Sequence, residues 1–200
     1  MTNNEVTLSG KMASAFEFSH ELFGEGFYRA FISVIRTSGA VDTIPLIVSE
    51  RLVDVSNDYT NENVCICGQY RTYNNHEDNN KNSLVINVFV TEFNLEDDPS
   101  DANEVFLDGF ICRKPTFRET PLGRQISDFI IAVNRNYGKS DYIPCICWGR
   151  NALFMSRLHV GDRIQLSGRI QSREYVKLLN GIEQIRTAYE VSVMKLDQIE

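Results

Sequence analysis

The sequence predicts an all-β protein in which one small fold occurs twice. The segment NEVTLSG at residues 4–10 returns as NEVFLDG at residues 103–109, and the ranges 4–51 and 103–150 share 16 identities in 48 ungapped pairs. Apolar residues alternate with polar ones at period two, which is the pattern of half-buried strands. Because solenoid and propeller repeats are only about 20 to 50 residues long, a repeat at this spacing indicates two copies of one domain.

Five strands are predicted in each copy. In the first copy they lie near 4–18, 27–36, 42–49, 63–74 and 83–94, with a weak helical pattern over 51–57. In the second copy they lie near 103–117, 126–135, 141–148, 162–174 and 185–197. A helix is predicted at 150–158 of the second copy, because Ala152, Leu153, Met155 and Leu158 follow helical spacing there.

Five strands with a helix between the third and the fourth are the pattern of the OB fold, a small closed barrel. We therefore predict two tandem OB-fold five-stranded barrels, each with a short helix between strands 3 and 4. The domains are predicted at 1–95 and 103–200, joined by a charged linker over 96–102.

Residues that the two copies share are interpreted as requirements of the barrel. Glycines interrupt the first and fourth strands of both copies, where a barrel strand bends or bulges. The shared positions include Gly10/Gly109, Gly68/Gly168, Asp42/Asp141 and Pro45/Pro144.

Charge is distributed unevenly along the chain, although the formal net charge is -7. Residues 1–100 contain 6 Lys and Arg against 15 Asp and Glu, a net of -9, whereas residues 110–195 contain 14 against 7, a net of +7. Such an asymmetry points to contact between the basic part and nucleic acid or a membrane. An ordinary solvated surface is the alternative interpretation.

Targeting signals and membrane spans are not recognisable in the sequence. No apolar run approaches the roughly 18 residues of a span, and the first ten residues lack the basic and apolar regions of a signal peptide. The five cysteines, an odd number, favour reduced thiols over a disulfide scaffold. We expect a cytoplasmic, nucleoid-associated protein without membrane contact.

Candidates for catalysis or metal binding are few. Cys65/Cys67 and Cys145/Cys147 form two Cys-x-Cys pairs, and four thiolates are one of the ligand sets of zinc. Because these cysteines alternate within apolar strands, a place in the core is favoured over a zinc site. The histidines stand in unrelated contexts and no glycine-rich phosphate loop is present. The sequence predicts a protein that is not an enzyme and has no catalytic residue, cofactor or metal.

The second copy carries the residue types that bind single-stranded nucleic acid, namely rings on which bases stack and cations that contact phosphates. Tyr142 and Trp148 are an even number of residues apart on one predicted strand, so they share the face opposite Ile143, Cys145 and Cys147. The candidate stacking residues are Tyr137, Tyr142, Trp148 and Tyr175. The candidate phosphate contacts are Arg135, Lys139, Arg150, Arg169, Arg173 and Lys177. A single aromatic residue is as often part of the core as part of a binding surface. The prediction therefore depends on the four aromatic residues and the six cations together.

The ranges 103–135 and 142–175 resemble the OB domain of bacterial single-stranded DNA-binding proteins. The shared motifs are an N-x-V-x-L-x-G opening, a T-P-x-G turn, an A-V-x-R strand, a W-G-x-x-A segment, a G-D-x-I step and a G-R-I-x-x-R-x-aromatic strand. The resemblance implies a tandem OB-fold member of that family, which binds single-stranded DNA in replication, recombination or repair. It also places the family's stacking positions on the four candidate rings, with Tyr instead of Trp at several.

The first copy departs from this pattern. Three stacking rings of the second copy are replaced there by Ser38, Thr43 and Ser49, and only Tyr70 or Tyr73 remains near the fourth-strand position. Its net negative charge repels phosphates within a Debye length of about 8 Å. We expect that the first copy has kept the barrel and lost most of the binding surface.

The resemblance also bears on assembly and on alternatives. The family usually assembles four OB folds, which implies a homodimer of this chain. Family members usually carry an acidic-tipped C-terminal tail, and its absence from this sequence favours a specialised or primosomal-type member. The alternative function is a primosomal or regulatory protein-interaction module whose acidic first domain is the docking face. RNA is also left open as a ligand, since the same rings and cations bind it, and protein partners are not indicated.

Overall fold

Twelve β-strands contain about two thirds of the described residues and only one short α-helix accompanies them there, so the prediction of an all-β chain is confirmed. The computed structural model describes residues 2–75, 83–98, 100, 102–179 and 182–199. We call residues 2–98 the first half and residues 102–199 the second half. No helix among the described residues has the length and apolar character of a membrane span.

The first half contains six strands, five of which close a ring. They are β1 Asn4–Met12, β2 Glu17–Leu22, β3 Glu25–Ile35, β4 Val41–Ser49, β5 Asn63–Asn75 and β6 Ser83–Leu95. The ring closes because β1 pairs with both β3 and β5, while β3 pairs with β4, β4 with β6, and β6 with β5. Only the β4–β6 pairing in this ring is parallel. Strand β2 extends the sheet beside β3, outside the ring.

The second half repeats this arrangement strand for strand. Its strands are β7 Asn103–Ile111, β8 Thr116–Glu119, β9 Gln125–Asn134, β10 Ser140–Trp148, β11 Arg163–Leu179 and β12 Ile182–Ile199. Strand β7 pairs with both β9 and β11, and β10 and β12 complete the ring through a parallel pairing. A 3-10 turn over Asn136–Gly138 joins β9 to β10, and helix α1, Arg150–Met155, follows β10.

The first predicted strand of each copy is interrupted. In the first half the interruption covers 13–16, where the hydroxyl of Ser14 accepts a hydrogen bond from the N–H of Phe31 in place of a strand carbonyl. In the second half it covers 112–115, where Pro115 has no N–H to donate. The chain therefore leaves the ring at these points and returns as a separate short strand.

The helix predicted between the third and fourth strands is present only in the second half, as α1. The predicted helix over 51–57 of the first half is wrong, because that segment consists of turns. The carboxylate of Asp54 accepts hydrogen bonds from the N–H and the hydroxyl of Ser56, at 3.1 and 2.6 Å, which competes with helical pairing. The β-branched Val53 and Val55 on either side add to this effect.

The paired glycines have the structural role predicted for them. Gly68 and Gly168 each follow a register shift in the pairing of the fourth and fifth ring strands, as in a β-bulge. A Cβ atom at either position would collide with a backbone carbonyl of the paired strand, and the same holds at Gly10 and Gly109. Glycine is therefore required where two backbones approach this closely.

Apolar side chains from alternate strand positions fill both rings. On β3 the buried residues include Ala30, Ile32 and Val34, and at the matching positions of β9 they are Phe129, Ile131 and Val133. The residues between them are half-buried and lie on the other face of each strand.

Two kinds of contact join the halves, and the first is a strand pairing. β1 and β7 pair in antiparallel fashion, with Asn4 opposite Leu107 and Leu8 opposite Asn103. One hydrogen-bonded sheet therefore continues from the first ring into the second.

The second contact is made by a buried carboxylate of the first half. Asp42 accepts hydrogen bonds from Arg36 of its own half, at 2.6 Å from Nε, and from Ser172 of the second half. The N–H and the hydroxyl of Ser172 lie 2.7 and 2.9 Å from the same carboxylate oxygen.

The same cluster recurs with the halves exchanged. Asp141 accepts a hydrogen bond from Arg135 of its own half, at 2.7 Å from Nε, and from the N–H of Thr72 of the first half, at 2.6 Å. Arg71 of the first half adds a salt bridge to Asp141 at 3.0 Å. We call the two clusters together the seam. The shared Asp42 and Asp141 thus serve the contact between halves, which corrects their interpretation as requirements of the barrel.

Candidate nucleic-acid interface

Strand β10 presents two aromatic rings on its outer face and a row of core residues on the other. Tyr142 is 51% and Trp148 43% exposed, whereas Ile143, Cys145 and Cys147 are buried. The predicted orientation of this strand is confirmed. Burial raises the pKa of the Cys147 thiol to about 12, so this cysteine stays protonated at neutral pH.

The cysteines of the first half have the opposite orientation. On β5 the core positions are Val64 and Ile66, and Cys65 and Cys67 lie half-buried on the other face. The prediction that this pair lies in the core is wrong, because the alternation along β5 is shifted by one residue relative to the one expected. No metal-binding cluster of acidic, histidine and cysteine side chains occurs among the described residues.

Tyr137 stands at the turn that leads into β10. Its φ is 69° and that of Gly138 is 73°, so two successive residues adopt the left-handed conformation. This conformation is uncommon for a tyrosine and costs of order 1 kcal/mol or more. The side chain is fully exposed, and Ser38, at the matching place in the first half, has no positive φ. The turn therefore holds a ring in water without packing it against the protein.

Tyr175 lies on the part of β11 that extends past the ring. It is 38% exposed and stands opposite Arg186 of β12. The β11–β12 hairpin is longer than predicted, since its pairing continues to Leu179 opposite Ile182. Tyr175 is therefore placed on an arm at a distance from β10.

The candidate cations differ in how far they are already paired. Lys139 and Arg150 are exposed and Lys177 is half-buried, and none of the three has a salt bridge within the part of the chain that the structure describes. Arg173 lies 3.7 Å from Glu190. Arg169 is half-buried and its Nε has no hydrogen-bond partner.

Arg135 belongs to the seam. Besides its salt bridge with Asp141, its Nη2 donates a hydrogen bond to the carbonyl of Thr72 at 3.0 Å. The hydroxyl of Thr72 in turn accepts a hydrogen bond from the N–H of Tyr142 at 2.9 Å. A chain of bonds through the first half therefore fixes the strand that carries Tyr142.

Arg124 is a candidate contact that the sequence interpretation missed. Together with Gly123, Gln125 and Gly149, it lines a depression of about 460 Å³ beside Trp148. The β9–β10 register, in which Ile126 stands opposite Trp148, brings this turn next to the ring. The Gly123 turn and the hairpin pairing would have been the signals to use.

The described residues of the first half include no comparable strip of aromatic side chains. Ser38 and Thr43 are exposed, and Ser49 is buried with its hydroxyl donating to Glu25. Of the two tyrosines expected near the fourth strand, Tyr70 is buried in the core and only Tyr73 is half-exposed. Burial raises the pKa of Tyr70 well above its usual value.

A closed ring of strands that carries exposed aromatic side chains and cations is the arrangement with which OB-fold proteins bind single strands. The model of the single-strand binding protein family matches residues 102–199, which form the second half of the chain. Proteins of this family bind DNA and are not enzymes, in agreement with the prediction of a non-enzymatic chain.

Curated sequence relatives match part of the chain. The single-stranded DNA-binding protein of Oceanobacillus iheyensis is 35% identical over an 80-residue alignment that covers 36% of this chain and 50% of that protein. Single-stranded DNA-binding protein A of Bacillus subtilis is 34% identical over an 80-residue alignment that covers 36% of this chain and 46% of that protein. The chain spans about half the length of the curated relatives it matches.

The fold of both halves is shared with a solved structure. The wild-type single-stranded DNA binding protein from Thermus aquaticus superposes with a TM-score of 0.80, covering 98% of this chain and 93% of that one. At 17% sequence identity this likeness concerns the fold.

Proposed function

We propose that the chain binds single-stranded DNA with its second half, through the strip formed by Tyr137, Tyr142 and Trp148 and through Tyr175. One observation carries the proposal: three rings stand exposed along one strand and its turn, while the opposite face of that strand is packed in the core. Each base stacked on such a ring contributes about 1 to 3 kcal/mol.

The phosphates are contacted by the cations around the strip. Lys139, Arg150 and Lys177 are available because no described carboxylate is paired with them. Arg169 and Arg173 are secondary contacts, and Arg124 joins them beside Trp148. Arg135 acts as a positioning residue, since its guanidinium is engaged by Asp141 and Thr72.

Each half is, in this proposal, one OB-fold barrel, with domains over 1–95 and 103–200 and a linker over 96–102. The two closed five-strand rings support this assignment. The chain serves in replication, recombination or repair, and two copies of it supply four barrels as a homodimer. Light scattering that gives a monomer at micromolar concentration would contradict the dimer. The cytoplasmic, nucleoid-associated location and the protein-docking alternative stay predictions.

Fluorescence of Trp148, the single tryptophan of the chain, tests DNA binding directly. Titration with oligothymidylate at low salt is expected to quench it, because stacking brings a base onto the indole. Affinity is expected to fall as salt rises, because bound phosphates release their counterions. Unchanged fluorescence at low salt, together with no mobility shift of a labelled oligonucleotide, would refute the proposal.

The choice between DNA and RNA needs a separate experiment. Poly-dT and poly-U carry comparable charge, so competition between them compares sugars and bases at similar electrostatics. We expect poly-dT to displace labelled oligothymidylate at a lower concentration than poly-U. Equal or better competition by poly-U would assign the site to RNA.

A further inference from the structure

A groove of about 880 Å³ lies where the first half meets the turn before β10. It is lined by four cations and two exposed rings, and no acidic side chain lines it among the described residues. The first half contributes Arg29, Arg71 and Tyr73, and the second half contributes Arg135, Tyr137 and Lys139. We call it the inter-half groove.

Positive charge in the inter-half groove exceeds negative charge. Asp141 pairs with both Arg71 and Arg135, so this one carboxylate offsets one of their two charges. Arg29 is exposed and, within the described chain, has no salt bridge, although Glu17 stands opposite it on β2. Lys139 is exposed as well and has no salt bridge to any residue that the structure describes. Two of the four cations of this electropositive site, Arg29 and Arg71, belong to the half whose overall charge is negative.

The second half has a face that matches the first-half side of the groove position by position, because the strands of the two halves pair in the same register. This face provides an internal comparison. Arg29 stands opposite Ile47 on β4, and in the same place Asp128 stands opposite Ile146 on β10. Arg71 stands opposite Asn87 on β6. At the matching place in the second half, Gln171 of β11 stands opposite the carboxylate of Glu190 on β12. Two positions that are cationic or neutral in the groove are therefore acidic on the other face.

The cations of that second face are mostly used within the protein. Arg118 lies 2.7 Å from Asp128 and Arg173 lies 3.7 Å from Glu190, whereas Arg169 has no carboxylate partner within the described ranges. The turn that faces it is also different, since Ser38 and Ala40 occupy the places of Tyr137 and Lys139. Of these two matching places, only the inter-half groove combines surplus cations with exposed aromatic side chains.

Tyr137 and Lys139 line the inter-half groove and also begin the strip of rings on β10. A strand that follows the strip from Trp148 past Tyr142 to Tyr137 therefore reaches the groove without leaving the protein surface. Arg29 of β3 lines the same groove from the first half.

We propose that the inter-half groove binds the sugar-phosphate backbone of the same single strand where it leaves Tyr137. Arg29 and Lys139 contact phosphates there, and Tyr73 offers a ring to a base. This inference rests on the proposed function and adds a ligand site on the first half, which the sequence had predicted to be largely lost.

Replacing Arg29 tests this site without touching the strip. An oligothymidylate of about 30 nucleotides is expected to bind Arg29→Ala about tenfold more weakly, the size of one charge-assisted hydrogen bond. The slope of log affinity against log salt is expected to fall by about 0.7, which corresponds to one phosphate. An oligonucleotide of about 8 nucleotides, within the site size of one barrel, is expected to bind the variant and the wild type equally.

Lys11→Ala is the matched control, because Lys11 is also an exposed cation on a strand of the first half but does not line the groove. It is expected to leave both affinities unchanged. Equal affinities of Arg29→Ala and wild type for the long oligonucleotide would overturn the inter-half groove. Absence of Trp148 quenching by either oligonucleotide in the wild type would instead overturn the proposed function.

Photo-crosslinking gives an independent readout on the unmodified protein. With 5-iodouracil placed along the long oligonucleotide, mass spectrometry is expected to find crosslinks at Tyr73 or His20 of the groove as well as at the rings of β10. Crosslinks confined to the second half would contradict the groove site, even with quenching intact.

Discussion

The two halves have the same ring of strands but differ in what they display on its surface. Both contain the bulge glycines and both contribute an arginine–aspartate pair to the seam. The outer face of β10 carries Tyr142 and Trp148, whereas β4 carries Thr43 and a buried Ser49. The fold and the contact between halves thus impose one set of residues on both halves, and the residues that differ lie on the outer faces of β4 and β10, apart from the buried Ser49.

Removing the rings tests this comparison with the largest expected effect. The double variant Tyr142→Ala/Trp148→Ala is expected to lose about 2 to 6 kcal/mol of binding free energy, because two stacked bases lose their partners. Anisotropy of a fluorescein-labelled oligothymidylate measures this loss when the tryptophan is gone.

Tyr28→Ala is the control in the first half, where Tyr28 is half-buried and its ring packs against that of Phe18. Its DNA affinity is expected to equal that of the wild type. A loss as large as that of the double variant would show that the halves have been assigned the wrong roles.

Removing a seam carboxylate is expected to destabilise the fold by about 3 kcal/mol, the cost of breaking a buried ion pair. Asp141→Ala leaves Arg71 and Arg135 without their shared partner, so its cost is expected to exceed that of Asp42→Ala, where one arginine is released. Urea denaturation followed by circular dichroism measures both. Asp197→Ala, which removes an exposed pair with Lys195, is expected to cost less than about 1 kcal/mol. Equal costs for all three variants would refute the seam.

Acid is expected to weaken the Asp42 cluster in a defined direction. Burial opposes ionisation of Asp42, but hydrogen bonds from Arg36 and Ser172 outweigh it and hold its pKa below the ordinary value. Since an unfolded aspartate titrates near 3.9, the carboxylate stabilises the fold above about pH 4. This contribution is lost as pH falls through the folded pKa.

The difference in unfolding free energy between wild type and Asp42→Asn is therefore expected to shrink as the pH falls below about 4. Urea midpoints measured from pH 7 to pH 3 report this difference. A difference that stays constant over this range would contradict the assigned role of the charge.

Adding an aromatic side chain to the first half is expected to have the smallest effect. It tests whether the lack of an aromatic residue alone explains the difference in DNA binding between the halves. Thr43 is exposed and matches Tyr142 in the pairing of its strand, so Thr43→Tyr adds a ring without entering the core. Affinity for a long oligothymidylate is expected to rise by about 1 kcal/mol, with Thr43→Ala unchanged. No gain would mean that the charge of the first half, and not only its lack of rings, limits binding.

Local signals in the sequence predicted much of the fold. Period-two alternation located the ring strands, and the orientation of β10 followed from the even spacing of Tyr142 and Trp148. The bulge glycines were also recognisable, because a close approach of two backbones requires glycine at that one position of the sequence. The helix expected over 51–57 failed because the competing Asp54–Ser56 bonds depend on a turn geometry that spacing does not reveal.

Contacts between distant residues could not be predicted. Arg135 looked like a free cation, yet it is held by Asp141 and by the carbonyl of Thr72, which lies in the other half. The inter-half groove also depends on how the rings meet, so Arg29 had no distinguishing sequence signal. The acidic average of the first half concealed this local surplus of positive charge.

The pairing of β1 with β7 also has a consequence for stoichiometry. Because both strands belong to one chain, they meet at an effective concentration of millimolar order whatever the amount of protein present. Dilution therefore cannot separate the acidic strand ring of the first half from the basic strand ring of the second half. At low concentration, a strand ring of another molecule cannot displace the one that is covalently tethered. Each molecule therefore contains one acidic and one basic strand ring. The two strand rings can differ in sequence and still remain paired.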